Sequence, residues 1–486
     1  MTIQTEQPTL RPGPRFPGLD RRTLGPIQVF AQSVSAAAPT AGMVATPTIA
    51  ASTAGSGTVW SFVIATVVAL LIAGCIGQFT RRMAAAGSLY SLAAKGLGPA
   101  GAFACACALL VGYALLVSAA LAGAAIHLHA LLGSTGASAG VSVAATTVLL
   151  GVVVAACAVR GIRLSAGVVL LVEGLSITLM LTVFGLLLGG DVSRPPTPSA
   201  HAAEPAGAFG GVAAAVVPAL AAFIGFESAA ALGVEARRPF RSVPRAVMWT
   251  AGVAGVMYVC AAAVQVSLTE DARVLPLSVL ASAQRLPWVS PLLDAGIASS
   301  FLACALATAN ALVRVLFSLG TEGLAPRGLR RTHRVHRTPH LAIAVALPVT
   351  TVLPAAMIVG GVPTERVLDL LLQASTVGYL LAYLLVCLAV PLFLRNIGES
   401  TPGPVAVALA VVPVLLIALG AFAVSVPGGA FALTFAVLAA AALAWYGWLR
   451  RHLPDRLAGI GVYDETSIAD VLDDQPLRTP APGRYR

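Results

Sequence analysis

The sequence predicts an all-α integral membrane protein with about twelve transmembrane helices. Of its 486 residues, 58% are hydrophobic and only 10% are charged, and the mean hydropathy is +0.88. A soluble domain carries roughly 25% charged residues, so this chain has too few charges to cover a surface that faces water. The apolar residues are also grouped into runs of about 20 or more, the length that crosses a bilayer.

The runs divide the chain into numbered spans, whose edges we expect to be accurate to about three residues. Spans 1 to 12 are 27–52, 57–79, 100–130, 139–159, 164–190, 209–233, 246–268, 291–319, 340–361, 366–394, 404–425 and 429–449. The segment 83–98 is too short and too polar to cross, so it is predicted to be a helix on the cytoplasmic surface. Residues 1–26 lack a cleavable signal peptide and are predicted to be a cytoplasmic tail. The charged residues 451–486 are predicted to form a second tail that is mostly unfolded.

The positive charges predict the orientation of these spans. The net charge is +10 at pH 7, which in a soluble protein would suggest nucleic acid as a partner. Here the charges lie between apolar runs, so they report topology instead. With the N-terminus inside, 26 of the 30 Lys and Arg residues fall inside and four outside. This distribution predicts an even number of spans, cytoplasmic termini and a multi-pass protein of the cell membrane.

Cysteine and histidine predict neither a disulfide framework nor a metal site. All seven cysteines lie inside apolar segments, where they are typical small packing residues. His333, His336 and His340 are spaced like metal ligands, but they lie in an arginine-rich loop that would repel a cation. No cofactor is expected.

Spans 1 and 6 each contain an interruption. In span 1, Pro39 removes an amide donor and clashes with the preceding turn. In span 6, Gly225 and Glu227 stand near the middle of an apolar run. Five spans separate the interruptions, the spacing of two inverted repeats whose first helices are broken to bind substrate and ions at the bilayer midplane. The alternative is that Pro39 only kinks its helix and that Glu227 is structural.

Three separated motifs then resemble those of a known family. They are RRMAAAGSLY at 81–90 with GLGP at 96–99, FIGFE at 223–227 with EARRP and PRA at 235–246, and EGLAP at 322–326 with TPH at 338–340. Over residues 27–395 the chain resembles amino acid permeases of the amino acid–polyamine–organocation superfamily. The first motif has Ala where the family usually has Pro.

The resemblance implies a LeuT-type fold, with repeats 27–190 and 209–394 as the transporter core and spans 11 and 12 (395–450) as two extra helices. It implies sodium-independent, often proton-linked uptake or exchange of amino acids or amines. The substrate would lie between the two breaks, with its carboxylate at span 1 and its amine at span 6. Carried over, the substrate-binding candidates are Ser35, Ala36, Ala37, Ala38, Thr40, Ala222, Phe223, Ile224 and Phe226.

Two departures from the family leave the substrate open. Many members carry G-x-G in span 1, where this chain has Ala36-Ala37-Ala38. Some carry a Trp gate in span 6, which aligns with Ala221. A wider pocket for a larger side chain is one interpretation.

Two carboxylates in the spans are candidates for proton coupling. Glu173 lies in the middle of span 5, where some proton-coupled relatives have Lys. Apolar surroundings disfavour its charged form, so we hypothesise that it takes up a proton; the alternative is a hydrogen bond that only joins helices. Glu227 is expected to accept amides at the start of the second half of span 6, as a hinge and a further proton site.

Other polar residues suggest a gate. Arg314 lies in the inner half of span 8 and is predicted to form an inner-gate ion-pair group with Arg81, Arg82 and Glu235. The alternative is that these are ordinary positive charges of the inner side. Tyr379 and Tyr383 in span 10 either line the cavity or pack between helices.

The function predicted is secondary active transport of amino acids or related amines by alternating access, as proton-linked symport or exchange. The alternatives are a non-transporting amino acid sensor and a transporter of polyamines or other organic cations. An intramembrane enzyme is disfavoured because the sequence contains no HExxH, GxSxG or Walker element. The expected partners are a small-molecule substrate, the lipid bilayer and protons, while the oligomeric state is left open.

Overall fold

The computed structural model describes residues 22–84, 87–132, 139–160, 162–189, 209–268, 289–333, 335–425 and 429–461. Over these ranges the chain is almost entirely helical and no strand occurs, apart from a single bridge between Leu24 and Ala236. Nine helices in the described ranges are long and apolar enough to cross a membrane. The predicted all-α membrane fold is confirmed.

The unbroken spans agree closely with the hydropathy pattern. Their helices are Thr58–Thr80, Leu89–Leu131, Ala139–Arg160 and Ile162–Gly189 for spans 2 to 5, then Pro239–Leu268, Val289–Glu322, His340–Val359 and Thr364–Asn396 for spans 7 to 10, and Pro402–Ser425 and Gly429–His452 for spans 11 and 12. A short helix, Pro454–Ala458, follows.

Span 1 is broken at its middle. It consists of two helices, Pro26–Ala36 and Pro39–Ala54, and Ala38 between them adopts left-handed backbone angles (φ 46°, ψ 58°). Pro39 begins the second helix, a position where a missing amide removes no helical hydrogen bond. The break therefore comes one residue before the proline that predicted it.

Span 6 departs from the predicted pair of half-helices. Its first half is the helix Phe209–Ala221, but its second half is only a 3-10 turn at Ser228–Leu232. The six residues between are turns, and Gly225 has a φ of 95° there. The positive φ of Gly225 interrupts the helical backbone between the two halves.

The segment 83–98 was predicted to be a helix outside the spans, at the cytoplasmic surface. A helix does begin here at Leu89, and a kink at Gly98 (φ 70°, ψ −165°) separates it from the helix of span 3. Leu89, Tyr90 and Leu92 are fully buried. The backbone of Gly96 lies against Ala389 of span 10, which leaves no room for a side chain. Small residues thus let this segment enter the bundle.

The ends of the two predicted tails also pack against the bundle. Leu24 and Glu235 are joined by a backbone hydrogen bond of 2.9 Å. At the other terminus, the amide of Gly461 donates to Glu322 at 2.9 Å. The prediction of an unfolded tail is therefore wrong for residues 451–461, while residues 1–21 and 462–486 lie outside the described residues.

The spans pair in a pattern that repeats. Span 3 packs along spans 8 and 10, span 8 along span 5, span 2 along span 7 and span 4 along span 9. If each of spans 1 to 5 is exchanged with the span five places later, the pair of spans 3 and 10 becomes the pair of spans 8 and 5, and the other three pairs become themselves. Two related repeats require this symmetry. Span 8 is central, with 89% of its apolar window buried, whereas span 11 is peripheral at 28%.

Candidate substrate site at the breaks of spans 1 and 6

The two breaks lie against each other. A Cβ atom at Gly225 would lie 2.5 Å from the carbonyl oxygen of Ala36 and 3.2 Å from the amide nitrogen of Ala37. Only glycine permits this approach and the positive φ together. The contact brings the main chain of span 6 directly onto the break of span 1.

Side chains on each break bind the main chain of the other. The hydroxyl of Ser33 donates to the carbonyl of Phe226. In return, the hydroxyl of Ser228 donates to the carbonyl of Gln32 at 3.1 Å. Each break is thus hydrogen-bonded to the main chain of the other.

Span 7 closes the site from a third side. The hydroxyl of Tyr258 donates to the carbonyl of Ala222 at 2.7 Å and lies 3.4 Å from that of Ala37. Its ring meets Phe223 edge-on, with centroids 5.1 Å apart. The carbonyl of Ala222, in the region expected to receive a substrate amine, is thus occupied by a tyrosine.

Glu227 joins the span 6 break to spans 3 and 10. One carboxylate oxygen accepts from Tyr113 at 3.0 Å, and the other accepts from Tyr383. Tyr383 in turn accepts from the amide of Gly225 at 3.3 Å, and Ser88 lies 3.0 Å from the hydroxyl of Tyr113. Glu227 makes no side-chain cap to the following turn, so the predicted capping role is wrong.

Two hydrogen bonds and one close contact show which residues of span 8 lie beside span 1. The thiol of Cys304 donates to the carbonyl of Ala36 at 3.2 Å, and Gln32 donates to the carbonyl of Ala307 at 2.6 Å. Further along, a Cβ at Gly296 would be 3.7 Å from the methyl of Thr40. The part of span 8 between Gly296 and Cys304 therefore faces the break itself.

Glu173 reaches this same part of span 8. Its Oε1 accepts from the hydroxyl of Ser300 at 3.2 Å, one turn before Cys304. Its Oε2 is buried with no hydrogen-bond partner among the described residues, and the same is true of the hydroxyls of Ser35 and Thr40. Buried polar groups are normally paired, so these three atoms beside the break have unused capacity to bind a ligand or a proton.

All nine substrate-binding candidates are buried. The most exposed is Ala38 at 8%, so none of the nine is open to solvent in this structure. Tyr379 lies beside it and meets Tyr113 edge-on at 5.2 Å, and its hydroxyl has no partner within the described ranges. Sequence reasoning did not single out Tyr113, Tyr258 or Cys304, because a lone polar residue in an apolar span carries no signal of its partner.

The four proposed gate residues do not form one group, and only two of them, Arg314 and Glu235, pair with each other. Arg314 binds Glu235 through two nitrogens, the Nη2 contact being 2.7 Å, and both side chains are buried. Arg314 also donates to the carbonyl of Asn310 at 2.8 Å. Arg82 instead pairs with Glu399 at 2.7 Å, in the loop after span 10, and Arg81 is exposed.

Comparison with known proteins places this arrangement in a family. The model of the amino acid permease family matches residues 28–444. The chain is 26% identical over 348 residues to the branched-chain amino acid permease BcaP of Bacillus subtilis, covering 66% of this chain and 72% of the relative. It is 27% identical over 390 residues to human cationic amino acid transporter 4, covering 74% of this chain but 58% of that protein.

Two further comparisons concern a third relative and the fold. The methylthioribose transporter of Bacillus subtilis is 24% identical over 339 residues, covering 65% of this chain and 71% of the relative. A solved structure of the manganese transporter of Eremococcus coleocola superposes with a TM-score of 0.51 at 15% identity, covering 88% of this chain and 95% of that chain. At that identity the likeness concerns the fold alone. The match of the family model over most of the sequence shows that the chain belongs to the amino acid permease family.

Proposed function

We propose that this protein transports amino acids across the cell membrane by alternating access, with protons as the coupling ion. The observation that carries the proposal is the direct contact of the two broken spans at Gly225 and Ala36. Transporters with such repeats bind their substrates where broken helices face each other, and the groups without a partner in the described structure here are the hydroxyls of Ser35 and Thr40 and the Oε2 of Glu173. Family membership supports the same function, since the relatives named above are permeases and transporters.

The charges around the breaks favour a substrate that carries an amine. Apart from Arg314 and Arg366 near span ends, the predicted spans contain no Lys or Arg. The carboxylates nearest the breaks are Glu173 and Glu227, and only Glu173 has an oxygen without a partner in the described structure. The substrate carboxylate would therefore bind amides and hydroxyls at Ser35 and Thr40, and its amine would lie on the side of Glu173.

Proton coupling is proposed for Glu173 on the same grounds. A carboxylate surrounded by apolar spans takes up a proton more readily than one in water. Protonation would remove a negative charge beside the span 1 break and so change its affinity for an amine. The buried pair of Glu235 and Arg314 is proposed to hold the inner side closed while the substrate is bound.

A transporter of organic cations that lack a carboxylate is the second candidate, because the two carboxylates alone would suffice for a polyamine. A sensor that binds amino acids without moving them is the third. The relatives differ in the substrates that their names give, which leaves the side-chain preference of this chain to experiment.

A screen of purified protein separates these candidates. Thermal shifts are measured against single amino acids, polyamines and methylthioribose, since a ligand stabilises the folded state by mass action. Hits are then tested for flux in proteoliposomes with and without a pH gradient. We expect an α-amino acid both to stabilise the protein and to be transported. A shift without flux would indicate a sensor, and shifts from polyamines alone would contradict recognition of the carboxylate.

A further inference from the structure

The residues that precede span 1 are hydrogen-bonded to the chain that leaves span 6. The amides of Thr23 and Leu24 donate to the carbonyl of Glu235 at 2.8 and 2.9 Å. The amide of the second residue after Glu235 donates back to the carbonyl of Leu24 at 2.9 Å. We call the two paired segments, residues 22–24 and 234–237, the gate bridge.

Leu24 anchors the gate bridge in the core of the bundle. It is 0% exposed, as is Ala236, its partner in the parallel bridge. A leucine in such a site buries a large apolar area, and removing its side chain leaves a cavity that weakens the packing of the whole segment. Residues 22–24 are therefore held in place by packing as well as by main-chain hydrogen bonds.

The gate bridge contains the residue that pairs the exit of span 6 with span 8. The carboxylate of Glu235 binds Arg314 through two nitrogens, and both side chains are buried. The backbone of Glu235 lies in irregular structure, after the 3-10 turn Ser228–Leu232 and before the helix that begins at Pro239. Because this residue lies outside a helix, the position of its carboxylate depends on the bonds to residues 22–24 as well as on local turns.

The gate bridge is also continuous with the first helix of span 1. That helix begins at Pro26, two residues after the first segment of the bridge ends. Its other end is bonded to the same part of span 6 through the hydroxyl of Ser33, which donates to the carbonyl of Phe226. The helix is thus joined at both ends to residues 226–237, so a movement of the helix is transmitted to Glu235.

We propose that the gate bridge positions the ion pair of the inner gate, with Leu24 as its anchor. The bridge holds Glu235 where its carboxylate meets Arg314, and the inner side stays closed. When the first helix of span 1 moves away from span 8, it draws the bridge and Glu235 with it, and the ion pair separates. The dependence of the pair on the bridge follows from these contacts, whereas its role as a gate rests on the proposed transport function.

The test measures how far Leu24 controls access to the ion pair. Val313 is 3% exposed and lines a small cavity beside Glu235 and Arg314, so V313C places a thiol of similar size there. Its reaction with N-ethylmaleimide is followed in the purified full-length protein. Mass spectrometry of peptides separates labelling at position 313 from labelling of the native cysteines.

L24A in the V313C protein is compared with L415A, which removes an equally buried leucine from span 11. We expect L24A to speed labelling at position 313 at least about tenfold, because loss of a buried leucine side chain shifts an equilibrium by that factor or more. L415A, the control for general loosening, should leave the rate unchanged. L24V is a milder change that should give an intermediate rate, and it serves if L24A is too unstable to purify. No acceleration in either Leu24 variant, or an equal one in L415A, would overturn the proposal.

A second comparison shows whether Leu24 acts through the ion pair. In E235Q/R314Q the pair is absent, so labelling at position 313 should already be fast, and L24A should add less than about twofold, which is the usual error of additivity. The same acceleration by L24A in both backgrounds would mean that Leu24 acts independently of the pair, against a positioning role. Slow labelling in E235Q/R314Q would contradict the proposal as well, because the pair would then not close this route.

Two deletions test which part of the N-terminal segment matters. Removing residues 2–21 leaves the gate bridge intact and should not change labelling, whereas removing residues 2–24 should accelerate it as L24A does. Equal acceleration by both deletions would place the control before residue 22 and overturn the proposal.

Uptake in proteoliposomes tests the role of the bridge in gating. L24A should lower initial uptake at least about tenfold, because the pair that closes the inner side is misplaced, while L415A should keep it. Normal uptake in L24A despite fast labelling would show that the pair is not the gate. If even the unaltered protein gives no flux, the transport proposal fails, while the labelling measurements still decide whether the bridge positions the pair.

Discussion

At the scale of single residues, the two mid-span carboxylates differ in how fully they are hydrogen-bonded. Glu227 has a tyrosine on each oxygen. Glu173 has one serine, and its second oxygen has no partner in the described structure. A buried charge is stable only when it is paired and hydrogen-bonded. Glu227 therefore has the environment of a structural clamp, whereas Glu173 has that of a group that exchanges a proton or a ligand.

Replacing Glu173 by Gln tests its role in coupling. Uptake by the unaltered protein should rise as the external pH falls. The amide of Gln cannot change its charge, so uptake by E173Q should be independent of pH. Initial rates are measured in proteoliposomes across a series of external pH values. E365Q, an exposed change outside the site, serves as the control and should keep the pH dependence. An unchanged pH profile in E173Q would rule out this role.

Replacing Gly225 by Ala tests the contact of the two breaks. The added methyl would meet the main chain of Ala36 and would strain the positive φ. We expect G225A to lose at least about tenfold in transport, because misplacement of binding groups by about 1 Å has effects of that size or larger. G185A is the control, since its methyl would meet nothing within 4 Å. Normal uptake by G225A would show that the breaks need not touch.

The sequence identified the polar residues of the site better than their partners. Ser35, Thr40, Glu173 and Glu227 stand out because polar groups in apolar spans are costly. The partners of Glu227 could not be predicted, because Tyr113 is more than a hundred positions away and only packing brings it close. The predicted capping role for Glu227 failed for the same reason, since it considered only neighbours in sequence.

At the scale of helices, hydropathy predicted the edges of a span well wherever the helix ends at the edge of its apolar run. It missed the early start of span 7, at Pro239. Polar residues such as Arg241 and Arg245 continue the span 7 helix beyond the apolar run, and hydropathy does not detect helix in polar sequence. The 3-10 turn after Glu227 was also missed, because the tyrosine contacts that hold it are made with other spans.

The hydrogen bonds of Tyr113 and Tyr383 to Glu227 predict how three tyrosine variants differ in stability. Y383F removes bonds to both Glu227 and Gly225, whereas Y113F removes the bonds to Glu227 and Ser88 and leaves the Gly225 amide paired. Each lost bond costs about 1 kcal/mol or more when a buried group is left unpaired. Thermal unfolding in detergent should show Y383F as clearly less stable than Y379F, with Y113F also lowered. Y379F is the matched control, because the Tyr379 hydroxyl has no partner in the described structure.

The pair of Glu235 and Arg314 predicts a different pattern of stabilities. Removing one partner leaves the other charge buried, at a cost of about 3–5 kcal/mol. R314Q should therefore lower the unfolding temperature strongly, while the double variant E235Q/R314Q should recover much of the loss. R82Q is the control, because its partner Glu399 is 57% exposed and exposed pairs contribute only about 0–1 kcal/mol. Equal effects of R314Q and R82Q would contradict the importance of burial.

At the scale of the whole molecule, the number and order of spans follow from composition, because each span must satisfy its own backbone inside the bilayer. The pairing of spans does not follow from composition. It depends on small residues such as Gly112 and Gly378, whose backbones lie against each other between spans 3 and 10. Glycines in a membrane helix are common, so the sequence alone does not indicate which ones mark a contact.

The orientation of the molecule in the membrane is the remaining prediction from charge. The rule that places Lys and Arg inside predicts that the loop after span 10 is cytoplasmic and that the loop before it faces outward. Ser400 and Glu365 are exposed positions in or beside these two loops. In intact cells, a membrane-impermeant maleimide should label E365C but should label S400C only after permeabilisation. The unaltered protein, whose cysteines lie in the spans, gives the background. The reverse labelling, with S400C accessible from outside and E365C protected, would invert the predicted topology.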